Sequence, residues 1–263
     1  MIEMRRGAII AILIAVAVAL VIINFLQYGF NGKEEQKQTI SEQFDNIDVE
    51  TENVKIEILP ASGSTAEVEL AGNKKGKYKL TTNVEGDTLH VEVENKRFQM
   101  FSIDFFNPSP TSLKVYLPEK AYDTVEVVTD NGQIIAGGME ADLVNMEADN
   151  GKILLDKIKS SLINVEVDNG EVSLENIEGE IHGTSNNGRI SLKTESLDRP
   201  LTLETDNGTI DIQTVEPPTN ATFDITLDNG KVNVFGESNY DSVIGNGDNV
   251  IKLTADNGKI TVR

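Results

Sequence analysis

Between residues 130 and 258 the chain writes Asp-Asn-Gly six times and Asn-Asn-Gly once, each inside the same apolar pattern. The glycines are Gly132, Gly151, Gly170, Gly188, Gly208, Gly230 and Gly258, spaced 19, 19, 18, 20, 22 and 28 residues apart. A period near 20 marks a stacked repeat, in which each unit buries its apolar face against its copies. Seven and five residues before each glycine, and two and four after it, 27 of the 28 positions are apolar, the exception being Gly183. An apolar content of 39% gives about 11 by chance. The position six before the glycine (Glu126, Asn145, Asn164, His182, Thr202, Asp224, Lys252) is polar throughout. Such alternation, rich in Val and Ile, is that of strands with one buried face.

Each unit therefore reads as strand, tight Asn-Gly turn, strand and short corner, with Met139, Ile158, Ile177 and Val215 recurring seven after the glycine. Asn-Gly by itself suits antiparallel hairpins, and a twisted stack of hairpins is the alternative fold. Constant register favours an all-β parallel solenoid, a right-handed β-helix of seven coils of 19–20 residues. At roughly 4.8 Å per coil these span on the order of 30 Å. The alternation places the asparagines inward as a buried ladder bonded along the axis. It places the aspartates outward.

Ahead of the repeats, residues 7–30 contain no Lys, Arg, Asp or Glu. Twenty residues from Gly7 to Leu26 rise about 30 Å as a helix, matching a bilayer core. Arg5 and Arg6 precede the run, so it reads as one uncleaved transmembrane helix with residues 1–6 cytoplasmic and the rest outside the cell. A cleaved signal peptide is the rival. Residues 27–43 read as a polar stalk and 44–263 as the extracytoplasmic domain. Within it, 44–124 form an irregular β cap with strands near Val54–Leu59, Ala66–Leu70, Thr88–Glu94 and Ser112–Leu117, and 125–263 carry the repeats.

Net charge is −20 and cysteine is absent. An acidic surface of this kind repels nucleic acid and anionic headgroups, and an exported chain without cysteine depends on its core. The partners expected are the membrane through residues 7–26 and an envelope protein or polymer. The Leu117-Pro118 step followed by Val-x-Val and repeated Asn-Gly-x-Ile units resembles the bacterial adhesin-like β-repeat family of unknown function. With the N-terminal anchor, the chain further resembles LiaG-like proteins of Bacillus, whose genes accompany envelope-stress systems. That resemblance covers residues 44–263 and implies a binding or scaffold role; it brings no catalytic residues.

The residues offer little for catalysis. His90 and His182 are the two histidines, and neither falls in a triad pattern. No catalytic residue and no cofactor is expected, and a carbohydrate-active β-helix enzyme or an accessory to a membrane signalling system are the rival functions. Asp130, Asp149, Asp168, Asp206, Asp228 and Asp256 should form one outward column, interrupted by Asn186. Hard oxygen ligands in a row could take calcium, although Asp also favours turns for its own backbone bonding. Phe98, Phe101, Phe105 and Phe106, in a stretch ending Asn107-Pro108-Ser109-Pro110, are the candidate partner-binding residues, or else a plug over the first coil.

Overall fold

The computed structural model describes residues 34–73, 76–96, 111–238 and 242–263. Thirteen strands follow in order: β1 (Glu34–Ile40), β2 (Asn46–Thr51), β3 (Lys55–Pro60), β4 (Ala66–Asn73), β5 (Tyr78–Glu85), β6 (Thr88–Asn95), β7 (Ser112–Leu117), β8 (Ala121–Glu175), β9 (Glu178–Thr194), β10 (Leu201–Thr214), β11 (Ala221–Val234), β12 (Ser242–Ile244) and β13 (Asn249–Val262). The long elements are whole coils, and β8 holds three of them, because pairing along the stack continues through the corners.

Stacking of the repeats is parallel and in register. Leu201 lies beside Ile181, Asn207 beside Asn187, Gly208 beside Gly188 and Ile210 beside Ile190. This is a parallel, β-solenoid-like stack and not a row of hairpins. The apolar columns fill its interior: Ile153, Ile190, Ile210 and Ile260 are fully buried. At Gly183, the one gap in the pattern, a Cβ would stand 2.8 Å from Leu203 Cδ2, so a neighbour's side chain occupies that space.

Coil order departs from sequence order. β13 pairs with β10 on one side and with β11 on the other. The last coil of the chain is thus interposed, and the Asn229 coil ends the stack. The 22- and 28-residue spacings reflect this: the chain passes over one layer and then returns to fill it. Val215 recurs at the corner position, but it is 79% exposed where Ile158 and Ile177 are buried, because the chain leaves the regular path there.

The stack is also longer than seven coils. β2 and β3 lie parallel to residues 124–129 and 134–136 of β8, making an eighth coil whose corner reads Glu52-Asn53-Val54. Beyond it β6 and β7 pair parallel with β2 and β3, so parallel stacking runs deep into the segment expected to be an irregular cap. Antiparallel strands close that end, with β5 on β6, β4 on β7 and β1 on β4. β1 occupies residues expected to be stalk; Gln38, Thr39 and Ile40 pair with Val68, Glu67 and Ala66, and buried Ile40 holds the strand to the core. The sheet following the corners is eleven strands deep, about 50 Å. The apolar run 7–26, expected to be a transmembrane helix, and the candidate partner-binding residues Phe98, Phe101, Phe105 and Phe106 lie outside the described residues.

Candidate functional site

The Asn-Gly corner organises the surface. A Cβ on Gly170 would stand 1.8 Å from the carbonyl oxygen of Gly151, and one on Gly208 1.9 Å from that of Gly188. Glycine is required here because successive backbones touch. Beside this seam the asparagines form a continuous amide ladder. Asn150 Nδ2 donates to Asn131 Oδ1 (3.1 Å), Asn169 to Asn150 (3.2 Å) and Asn187 to Asn169 (3.1 Å). The ladder reaches Asn53 at one end (3.2 Å) and Asn229 at the other (3.2 Å).

The bonding is as the alternation implied, but the ladder is solvent-exposed, not buried. Alternation ends three residues before the glycine, at small inward residues such as Ala148, Ser185 and Thr205. The chain then turns outward through Asp and Asn before re-entering the core.

The aspartate column is where expected. In spatial order it runs Asp130, Asp149, Asp168, Asn186, Asp206, Asp256 and Asp228, exposed except for half-buried Asp168. Asn186 Nδ2 donates to Asp168 Oδ1 (2.7 Å), so the interruption in the column supplies a donor. The row is straight, and among the described residues no three carboxylate or histidine side chains converge as a metal set.

Neighbouring columns extend the acidic character. Six positions before the corner stand Asp48, Glu126 and Asp224; four before it stand Glu50, Glu147, Glu166 and Glu204; Glu52 prolongs the aspartate row. Across eight coils this face carries fourteen carboxylates and one lysine, Lys252, which pairs with Glu204 at 2.6 Å. Burial, with Glu166, Asp149, Asp168 and Glu126 adding repulsion, raises the Glu147 carboxyl above its ordinary pKa. A shallow groove of about 390 Å³ runs over Asn145, Glu147, Asn164, Glu166, His182 and Thr184. Asn164 Nδ2 bridges to Asn145 Oδ1 (2.8 Å) in its floor.

The opposite face, one, three and five positions after the corner, has five carboxylates (Glu57, Asp156, Glu171, Glu175, Asp211) and seven cations (Lys55, Lys152, Arg189, Lys193, Lys231, Lys259, Arg263). Four of these carboxylates are ion-paired there: Lys55–Glu57 (3.2 Å), Lys152–Glu171 (2.7 Å), Lys193–Glu175 (3.7 Å) and Arg263–Asp211 (3.2 Å). One face is therefore nearly neutral, and the other has carboxylates in excess.

The histidines do not meet. His90 Nδ1 lies 2.9 Å from Asp48 and His182 Nε2 lies 2.9 Å from Glu180, on separate layers. The carboxylates are strung along strands on an unwalled surface. The longer connections, 215–220 and 235–248, leave from the far ends of their strands.

Two clusters escaped the sequence reading. Lys120 lies over the stacked rings of Phe44 and Tyr122, donates to the Phe44 carbonyl and pairs with Asp45 (2.7 Å). Burial and Asp45 push the Tyr122 hydroxyl up to about 12, and it donates to the Pro118 carbonyl. Elsewhere Asp198 accepts from Asn220 N (2.9 Å), Thr219 N (2.8 Å) and Thr219 Oγ1 (2.7 Å). Asn220 in turn is bonded to Asp248 and Asn249. This network ties together the corners around the interposed coil, and the irregular 22- and 28-residue spacings were the signal for it.

Among curated proteins none matches the chain in sequence. A crystal structure of a candidate adhesin from Bacteroides fragilis is similar to it at TM-score 0.50 and 12% identity, covering 89% of this chain and 98% of that one. A candidate cell adhesion protein from Clostridium sporogenes (12% identity, 88% and 99% covered) and a candidate lipid binding protein from Parabacteroides distasonis (14%, 89% and 95%) each align at TM-score 0.32. The sequence matches the Toastrack DUF4097 family over residues 44–136 and 121–263. The chain belongs to the Toastrack DUF4097 family.

Proposed function

We propose that the protein is a non-catalytic binding or scaffold module of the cell envelope, held by residues 7–26 in the membrane and displaying its stack outside the cell. The observation that carries this reading is the asymmetry of the two faces. Carboxylates on a flat, regular β surface, left without counter-charges, attract a cationic partner over several ångströms and hold its register by their repeat. The ion-paired opposite face lacks that field. The partner class is a cationic envelope protein or polymer. The run 7–26 ahead of such a domain supports the placement, since it has the length and flanking charge of an anchor and the arrangement of LiaG-like proteins.

Titration of the detergent-solubilised full chain with polylysine and with neutral dextran tests the binding surface. Polylysine should bind with a steep inverse dependence on salt, weakened in Glu147→Lys/Glu166→Lys and unchanged in Glu171→Lys/Glu175→Lys. Equal weakening by both pairs would refute the acidic face as the binding surface.

A further inference from the structure

Five strand ends meet at one corner of the N-terminal layers. β1 begins there, β4 ends and β5 begins there, and β6 ends opposite the start of β7; the pairs Glu34–Asn73, Tyr78–Asn95 and Ser112–Lys55 fix the register. The clasp is tight. Buried Asn73 donates through Nδ2 to the Tyr78 carbonyl (2.8 Å) and accepts from Tyr78 N (2.9 Å), while Lys96 N donates to the Lys77 carbonyl (2.9 Å).

This corner gathers exposed lysines in a molecule of net charge −20. The sequence from 74 to 79 reads Lys-Lys-Gly-Lys-Tyr-Lys, and its described part places exposed Lys77 and Lys79 beside exposed Lys96. Lys79 is offset by Glu94 at 3.7 Å. Among the described residues no carboxylate is within ion-pair distance of Lys77 or Lys96. Glu34 and Glu35 begin β1 at the same corner, with Glu34 opposite Asn73.

The chain outside the structure says what this corner faces. The apolar run ends at Leu26, and β1 starts at Glu34. Seven intervening residues reach at most about 25 Å, so an anchored chain holds this corner, and not the far end of a stack about 50 Å deep, against the bilayer. Lysines beside a leaflet are attracted to anionic headgroups and fall out of range within a Debye length.

We propose that the corner formed by Lys77, Lys79 and Lys96 is a docking surface for an anionic lipid bilayer, setting the stack upright on the membrane with its acidic columns running along the surface normal and its acidic face turned to the side. The inference rests on the anchor reading above. The docked state has the lysines in the headgroup layer and the Asn229 coil farthest from it.

The chain has no cysteine, so single reporters are simple to place. Lys96→Cys and Asp228→Cys variants of the full chain, labelled with an environment-sensitive fluorophore, are reconstituted into vesicles of phosphatidylcholine alone or mixed with phosphatidylglycerol. With the anionic lipid, the label at 96 should shift to the blue and be quenched by a lipid-borne quencher, and the label at 228 should do neither. Adding Lys77→Glu should lower the docked-to-undocked ratio by roughly fivefold or more, with the protein still floating with the vesicles. A chain that floats while both labels respond alike, or whose response ignores lipid charge, overturns the docking surface and leaves the anchor standing. A chain that floats with neither vesicle overturns the anchor and, with it, the docking surface.

Discussion

Each residue of the corner triplet answers to a different constraint. Glycine is set by contact between layers: Gly170→Ala would drive a Cβ into the Gly151 carbonyl at 1.8 Å. We expect a loss of several kcal/mol in chemical denaturation, whereas Asp168→Ala, two residues away, should cost less than about 1 kcal/mol. At the second corner the governing term is backbone sign. Gly138 (φ 68°), Lys157 (φ 55°) and Asn176 (φ 54°) stack as a left-handed column. Lysine is the misfit there, and its ammonium is exposed, 3.6 Å from Asp156. Lys157→Gly should stabilise the protein by about 1 kcal/mol, the left-handed penalty outweighing a surface ion pair; a lower denaturation midpoint would refute this. On the acidic face the relevant term is charge. The Glu147 carboxyl is raised by burial and by its acidic neighbours. Its ionised form is thus disfavoured in the folded state above its unfolded value near 4.3. Glu147→Gln should stabilise the protein at pH 7 by on the order of 0.5 kcal/mol after solvent screening, read as a higher melting temperature. The advantage should disappear as pH falls below the unfolded value, where both states are protonated.

Coils are interchangeable units, and that explains what the sequence could and could not disclose about them. The apolar columns made the parallel register legible down to individual pairs such as Ile190 beside Ile210. They could not reveal coil order. Phe223, Ile225, Val232 and Val234 offer the same kind of face as Ile251, Leu253, Ile260 and Val262, so either coil fits on β10. Connection length and the Asp198–Asn220–Asp248 network decide between them. The Asn53 coil went unread because Val54 stands at the glycine position, although Ile47, Val49, Ile56 and Ile58 keep the spacing. Val54 is tolerated since the layer beyond it has no Asn-Gly corner to approach. The acidic column was legible because turn chemistry and alternation agree on it, whereas the net charge of a whole face needs three columns aligned across eight coils. Interposition has an energetic consequence. β11 pairs with β13 and with the short β12, so the terminal coil depends on a segment that follows it in the chain. Ending the chain after Asp248 removes β13 and should release the Asn229 coil, exposing residues 215–248 to proteolysis while the layers up to β10 remain protected. Protection of β11 in that truncation would mean that it restacks directly on β10.

As a whole the molecule is close to one-dimensional: each layer touches its two neighbours, and stability is a sum of layer and interface contributions. Position along the stack should therefore govern the reach of a defect. Ile190 is fully buried in a central layer and Val232 is 7% exposed in the terminal one. An aspartate at either site places an unpaired carboxylate against an apolar column, at a cost of several kcal/mol. In Ile190→Asp that cost falls between two halves that lean on each other. Hydrogen exchange should accelerate on both sides of the Asn187 coil, and the cooperative unfolding transition should weaken or split. In Val232→Asp the same charge can reach water by fraying the Asn229 coil alone. Exchange there should approach the unprotected rate, with β13 partly exposed and the layers from β3 to β9 unchanged. Residue-resolved exchange on the two variants measures this difference, and the same loss of protection across the whole stack in both would show that the layers fold as a single indivisible unit.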